Sequence, residues 1–269
     1  MRTTKTVWVY PPRDHYRGAC LQEEEYLGFV RELHDRGFEI ALHSVGSGAF
    51  SREEIKVGIE QFCDLLGFYP SMQINHAGNP DNLYWGYKRF IPPLSWLMRW
   101  RGNVSFGDEE GSEYFWGDHA KRYIKYIRNL VFMDLNTLRH DPLMPYRVRG
   151  KEKYSNYWFS ASDGHSVKEF IHLIAREAVD RLEQEGGCGI VYTHLGDGFA
   201  DSEGNVHTEF IERMRYLASK EGWFVPASQI LDYLLSWHGD DKWVSYPYLL
   251  RTNVAWLAHR IRKFVLFGR

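Results

Sequence analysis

The sequence predicts an α/β fold on a parallel sheet, with a (β/α) barrel as its architecture. Short apolar runs rich in β-branched and aromatic residues alternate with helix-period segments through most of the chain, the pattern of repeated βα units. The 269 residues, 44% hydrophobic and 25% charged, are also enough for one such core, which uses about 250 residues. This composition excludes disordered, collagen-like and coiled-coil chains. The expected organisation is a barrel over residues 1–238 with an aromatic insertion at about 86–118, followed by a tail at 239–269.

The elements follow in order. Thr6 to Tyr10 reads as the first strand and leads into a helix from about Gln22 to Arg36, where Tyr26, Phe29, Val30 and Leu33 share one face and Gly37 stops the helix. Glu39 to Leu42 is the next strand. Ser51 and Glu54 form a capping box before a helix that buries Ile55, Ile59, Phe62 and Leu66 and ends at Gly67, with Ser71 to Ile74 as the strand after it. A second Ser-x-x-Glu box, Ser166 with Glu169, opens a helix carrying Phe170, Leu173, Ile174 and Leu182, closed by Gly186-Gly187 before the strand Gly189 to Thr193. Phe210, Met214 and Leu217 mark a further helix, Gly222 stops it, and Trp223 to Val225 reads as a short strand before a last helix from about Ser228 to Trp237. Between Gly86 and Asp118 the rhythm breaks, with Pro92-Pro93, several glycines and many aromatics, more than a simple βα loop needs.

Charge and cysteine usage narrow the function classes. Residues 242–269 hold Lys242, Arg251, Arg260, Arg262, Lys263 and Arg269 with no acidic residue, so the rest of the chain carries −8 against −2 for the whole. A body of negative net charge argues against a nucleic-acid partner, whose binding depends on neutralising phosphates. Cys20, Cys63 and Cys188 form no C-x-x-C pair or even-numbered framework, and no signal-peptide or membrane-spanning run is visible, which fits a reducing cytoplasm. On the tail, Val254, Leu257, Ala258, Ile261, Phe264 and Val265 share a helical face. The expectation is packing of that face against the barrel or a partner subunit, or peripheral contact with an anionic membrane surface from the cytoplasmic side.

Three histidines stand directly after strands: His43 ends EIALH, His76 follows QIN and His194 ends GIVYTH. In a parallel βα fold these positions lie at the C-terminal face, where active sites are built. Converging imidazoles can hold a divalent metal, zinc first among them, or exchange protons near neutral pH; each can equally be a partly buried histidine bonded to a loop. Asp197, in THLGDGF, can orient His194 or simply form an Asp-Gly turn. There is no P-loop, G-x-S-x-G elbow, H-E-x-x-H or strand-linked G-x-G-x-x-G, which sets aside nucleotide hydrolysis and hydride transfer.

The stretch RGFEIALHS, followed by a capped helix and LGFYPSMQIN, resembles the second and third motifs of the polysaccharide deacetylase family (NodB homology, carbohydrate esterase family 4). GIVYTHLG resembles that family's late Leu-His motif, and GWFVPASQILDYL its terminal strand and helix, so the likeness runs from about Thr6 to Leu235. It implies a deacetylase-type variant TIM barrel. His43 matches the family's first metal histidine and His194 the histidine that protonates the leaving amine, whereas the second metal histidine falls on Ser47. The Arg-Pro-Pro-Tyr-Gly motif is replaced by NHAGNP, which makes His76 a substitute ligand, or Asn75 and Asn79 substrate contacts. The opening Thr-Phe-Asp-Asp-Gly motif is missing: Thr6 to Tyr10 resembles the family's second strand. The expectation is a barrel incomplete at its N-terminus, either because a strand lies upstream or because the carboxylates were lost, with Asp14 as the nearest replacement metal ligand.

The resemblance implies metal-assisted hydrolysis of N-acetyl, less favourably O-acetyl, groups on a sugar, in carbohydrate or surface and exopolysaccharide metabolism, with a lipid-linked glycan as one substrate. The alternative is a catalytically inactive barrel that binds glycan or a biosynthetic partner. Trp85 and the insertion's Trp96, Trp100, Tyr114, Phe115 and Trp116 offer ring faces for pyranose stacking, or a satellite apolar cluster under a long loop. Asn79, Asp81 and Asn82 offer hydrogen bonds to hydroxyls, or a plain turn.

Overall fold

The structure is a computed structural model that describes residues 1–268 apart from Arg101 and Asn103; Arg269, counted above in the basic tail, lies outside them. Six parallel strands are hydrogen-bonded in chain order: β1 (Thr4–Val7), β2 (Glu39–Leu42), β3 (Met72–Gln73), β4 (Tyr126–Phe132), β5 (Tyr157–Asp163) and β6 (Val191–Tyr192). The sheet curls into a half-barrel. Sequential parallel order follows from successive βα crossovers of one hand, and it brings every strand's C-terminal end to the same rim.

The helices are α1 (Glu24–Asp35), α2 (Arg52–Leu66), α3 (Leu94–Arg99), α4 (Gly117–Tyr123), α5 (Thr137–His140), α6 (Val167–Leu173), α7 (Arg176–Gln184), α8 (Thr208–Ala218), α9 (Ala227–His238) and α10 (Tyr246–Phe267). The Ser51–Glu54 capping box forms, with Ser51 N–H donating to Glu54 Oε2 at 2.8 Å. At the other end of α2, Gly67 takes φ 86° and returns its N–H to the Cys63 carbonyl, a left-handed position that favours glycine. Ile55, Ile59 and Phe62 face the core. Gly58, on the same helix, lies so close to Val45 and Tyr10 that a Cβ there would stand 2.8 Å from Val45 Cγ1.

Three expectations are corrected. The helix after Ser166 is two helices, α6 and α7, parted at Ile174–Ala175. Trp223 to Val225 makes no strand: the chain there is anchored by Ala227 N–H to Thr4 Oγ1 (2.8 Å) and Ser228 N–H to Glu39 Oε2 (3.2 Å), side-chain acceptors rather than a strand edge. Among the described residues β1 and β6 are therefore the sheet's two edges. The two longest strands, β4 and β5, escape the sequence reading because Arg128, Asn129, Ser160, Ser162 and Asp163 interrupt their apolar runs.

The third correction concerns α10. Its buried residues are Thr252, Asn253, Trp256 and Lys263, and the face expected to pack, including Val254 (60% exposed), Ile261 and Val265 (75% exposed), points to solvent. Trp256 packs with Phe90, Leu94, Leu130 and Phe132. Several polar members of this face are met: Asn253 Oδ1 accepts from Ile91 N–H, His259 Nδ1 accepts from Met133 N–H at 2.8 Å, and Tyr248 donates to Asp141, while Trp256 Nε1 is buried with no hydrogen-bond partner among the described residues. Lys263 Nζ lies 2.9 Å from Asp163 Oδ2 and 3.0 Å from Glu169 Oε2, all three buried. Thus Glu169, which the capping-box reading turned toward Ser166, carries its carboxylate to α10, while Ser166 Oγ still accepts from Glu169 N–H.

Removing one partner of a buried ion pair strands the other charge without water. Lys263→Met is expected to lower the unfolding free energy by about 3–5 kcal/mol, read as a urea midpoint. Adding Asp163→Asn and Glu169→Gln is expected to recover part of that loss; an unchanged midpoint for Lys263→Met would show the triad to be idle. A pH effect accompanies it. Burial, then the neighbouring charge of His140, lowers the pKa of His259 from 6.5 to about 4, so the unfolded chain binds this proton first. Its stabilising contribution is complete above pH 6.5 and is lost as pH falls toward 4. His259→Gln, which keeps an acceptor for Met133, should flatten that part of the stability–pH curve.

Candidate functional site

The rim at the C-terminal ends of the strands gathers four histidines, His43, His76, His165 and His194, together with Asp14, Tyr192 and Asp197. β2 runs directly into His43, whose N–H bonds the Val7 carbonyl of β1, and β3 runs through Ile74 toward His76. The two imidazoles meet: their centroids are 4.9 Å apart with planes at 67°. Trp8, just past β1, stacks on His43 at 6.3 Å and sets an edge against His76 at 5.5 Å. Tyr16 closes the outer side of His76 at 4.9 Å. Asp14 stands at the same rim, where Oδ2 accepts from Ser47 Oγ (2.7 Å) and Oδ1 from Tyr16 N–H (3.0 Å). Ser47, the position matched to a metal histidine, thus holds the carboxylate instead.

Burial drives the pKa of His43 well below 6.5, and the nearby His76, Arg128 and His194 push it the same way. Burial also lowers that of His76. Both rings are neutral at neutral pH, with lone pairs available. His43 Nδ1 is buried and has no hydrogen-bond partner among the described residues, a cost of about 1–3 kcal/mol that a ligand would relieve.

A second group faces the first. Tyr192 Oη, at the end of β6, lies 2.5 Å from His194 Nε2 and 3.1 Å from His165 Nδ1, and His165 Nε2 is 3.5 Å from Asp197 Oδ2. Asp197, expected to orient His194, is joined to it through His165 and Tyr192. His194 sits at the solvent edge, yet desolvation, with His165, Arg128 and His76 adding to it, lowers its pKa from 6.5 to about 4. Arg128 links the groups: it rises from β4 with its guanidinium 4.1 Å from the Tyr192 ring centroid, and its charge acts on both His43 and His194.

The residues expected to touch sugar divide differently. Asn75 (2% exposed) donates to the Leu83 carbonyl and accepts from Leu83 N–H, and Asn79 (1% exposed) clamps Gly46 O and Gly48 N–H. Asn82 holds the His76 carbonyl and Trp116 Nε1 donates to the Asp81 carbonyl, both side chains being buried. These four are the scaffold that carries His76, not a sugar-facing surface. Trp85 is half-buried under the Arg89 guanidinium, 4.0 Å from its ring centroid. Among the described residues of the insertion, Trp96 and Trp100 alone expose broad rings, and they lie on α3 and directly after it.

Arg128, His165, Tyr192, Asp163 and Lys263 were missed by the sequence reading. The signal for two of them was the polar run SASDGH, in which β5 ends on an Asp-Gly turn like the one after His194. Among the described residues no set of three or more His, Cys, Asp or Glu is gathered in a metal-holding arrangement. A hollow of about 300 Å³ lies at the other end of the sheet, lined by Glu39, Ile40, Phe68 and Pro226 among others, away from the clustered histidines. The chain matches no family model, no curated protein and no solved structure, so its likeness to deacetylases rests on the motifs alone.

The electrostatics of the rim can be read directly. By NMR, the His194 imidazole is expected to titrate far below 6.5, toward 4, and Arg128→Met is expected to raise that midpoint by removing a nearby positive charge. A midpoint near 6.5 in the unaltered chain would place His194 outside this field.

Proposed function

We propose that the chain is a polysaccharide deacetylase-like hydrolase, on a deacetylase-type partial barrel, that removes N-acetyl groups from a sugar in surface-carbohydrate metabolism. The observation that carries the reading is the meeting of His43 and His76, 4.9 Å apart on adjacent strand ends, with His194 across the rim, near enough that its charged form would repel theirs. The donors fit a divalent metal at these two points, since both imidazoles are neutral and His43 Nδ1 is an orphan; Asp14, the third point, is held by Ser47. When bound, zinc would polarise the acetyl carbonyl and lower the pKa of a water molecule.

The chain's own groups supply the rest. A histidine of pKa about 4 begins as an acceptor, so His194 takes a proton before it gives one back to the departing amine. With Nε2 engaged by Tyr192, that exchange falls to Nδ1. Arg128 offers fixed positive charge to the oxyanion that forms as water adds to the amide carbon. Collapse of that adduct breaks the C–N bond and yields acetate and the free amine. A second reading, a glycan-binding barrel without catalysis, draws on one observation: the Asp14 carboxylate is engaged by Ser47 and Tyr16, which leaves the histidine pair without a gathered acidic ligand.

Zinc content and acetate release separate the two. The hydrolase is expected to retain about one equivalent of zinc after dialysis, lost in His43→Ala and His76→Ala, and to release acetate from N-acetylglucosamine oligomers. His194→Gln should keep the metal and slow release by about 10²–10⁴-fold. Oligomer binding by a metal-free protein that releases no acetate would establish the second reading instead.

A further inference from the structure

We propose that α3 and the outer face of α10 form a docking surface for an anionic lipid bilayer. Val254, Ala258, Ile261 and Val265 recur at helical spacing on the side of α10 opposite Thr252, Trp256, His259 and Lys263, which face the protein. Phe264 and Leu266 extend this outer side; Ile261 is 58% exposed and Phe264 65%. The tertiary structure has thus already satisfied the helix through its polar face, and leaves the apolar one in water.

α3 enlarges the patch. Leu94 and Met98 share an apolar cluster with Ala255, Trp256 and Leu257, so α3 lies alongside α10, and Trp96 (66%), Leu97 (63%) and Trp100 (93%) project from it. Monomeric proteins rarely leave aromatic and aliphatic side chains this exposed on neighbouring elements without a partner.

Charge selects the occupant. Arg99, Arg251 and Arg262 are exposed around these apolar residues, and neither residues 86–106 nor 242–268 contain an Asp or Glu. Aromatic and aliphatic residues beside unopposed arginines match the interface of a bilayer with negative headgroups, where rings enter the acyl boundary and guanidinium groups pair with phosphate. Among the described residues no helix is long and apolar enough to cross a membrane, so the contact would be peripheral. Lys263 ties the C-terminal half of α10 to Asp163, the last residue of β5, so this end of the surface lies at the same end of the sheet as the histidine rim. The inference stands apart from the chemistry proposed for those histidines.

Co-sedimentation of the full chain tests it, with vesicles of phosphatidylcholine alone and with about one-third phosphatidylglycerol. Binding is expected only to the anionic vesicles and is expected to weaken with salt. Arg251→Gln with Arg262→Gln should reduce partitioning roughly tenfold or more. Trp100→Ser with Phe264→Ser should abolish it, while circular dichroism and the urea midpoint stay unchanged because these side chains are exposed. No sedimentation with anionic vesicles, or sedimentation indifferent to both double variants, would overturn the proposal. So would a dimer seen by light scattering that Trp100→Ser with Phe264→Ser dissolves, since the patch would then serve a second copy of the chain.

Discussion

The buried contact of Lys263 with Asp163 and Glu169 is the constraint on which the rest of the molecule depends. It joins the last helix to the end of β5 and to α6, elements about a hundred residues earlier in the chain. A six-stranded parallel sheet needs cover on its outer face, because parallel strands are buried on both sides. α10 supplies that cover over β4, and it does so with a mixed face of Trp256, Asn253, His259 and Lys263 rather than an apolar stripe. Asn253, His259 and Lys263 each meet a specific donor or acceptor, so the docking is directional in a way that an apolar stripe would not be.

That same tie reaches the candidate site. Asp163 lies on the rim that also carries His165, Tyr192 and His194, and Arg128 beneath them feels its charge. His43 is kept neutral first by its burial, and then by the neighbouring His76, Arg128, His194 and Lys5. Neutral imidazoles are what a metal or a proton-accepting step requires. The environment that suits ligation is thus made by burial and by the histidines' own proximity, with Arg128 of β4 and Lys5 of β1 adding to it.

Much of the fold was legible. Period-2 and period-3.6 patterns located α1, β2, α2 and β3 closely, and the Ser51–Glu54 box with Gly67 marked both ends of α2, because capping and left-handed glycine are local chemistry. β4 and β5 were not legible, since Arg128 and Ser160 through Asp163 belong to a wet rim and a polar helix contact that no local pattern announces. Of the candidate site, His43, His76, Asp14 and His194 were found by their position after strands. Asn75, Asn79 and Trp116 were read as sugar contacts because their side chains suit sugar; their burial depends on loop closure among residues 46–48, 75–83 and 105–116.

By itself, the sequence determined that the chain alternates strands and helices, that three histidines end strands at one rim, and that the last segment is a basic amphipathic helix. These are consequences of local spacing. Tertiary structure alone decided which histidines meet, that Tyr192 and His165 stand between Asp197 and His194, and which face of α10 turns inward. The physical reason is that hydrophobic periodicity ranks faces by transfer energy alone, whereas the carboxylates of Asp163 and Glu169, already buried on β5 and α6, call for a counter-charge that only the face of α10 carrying Lys263 brings when it turns toward them.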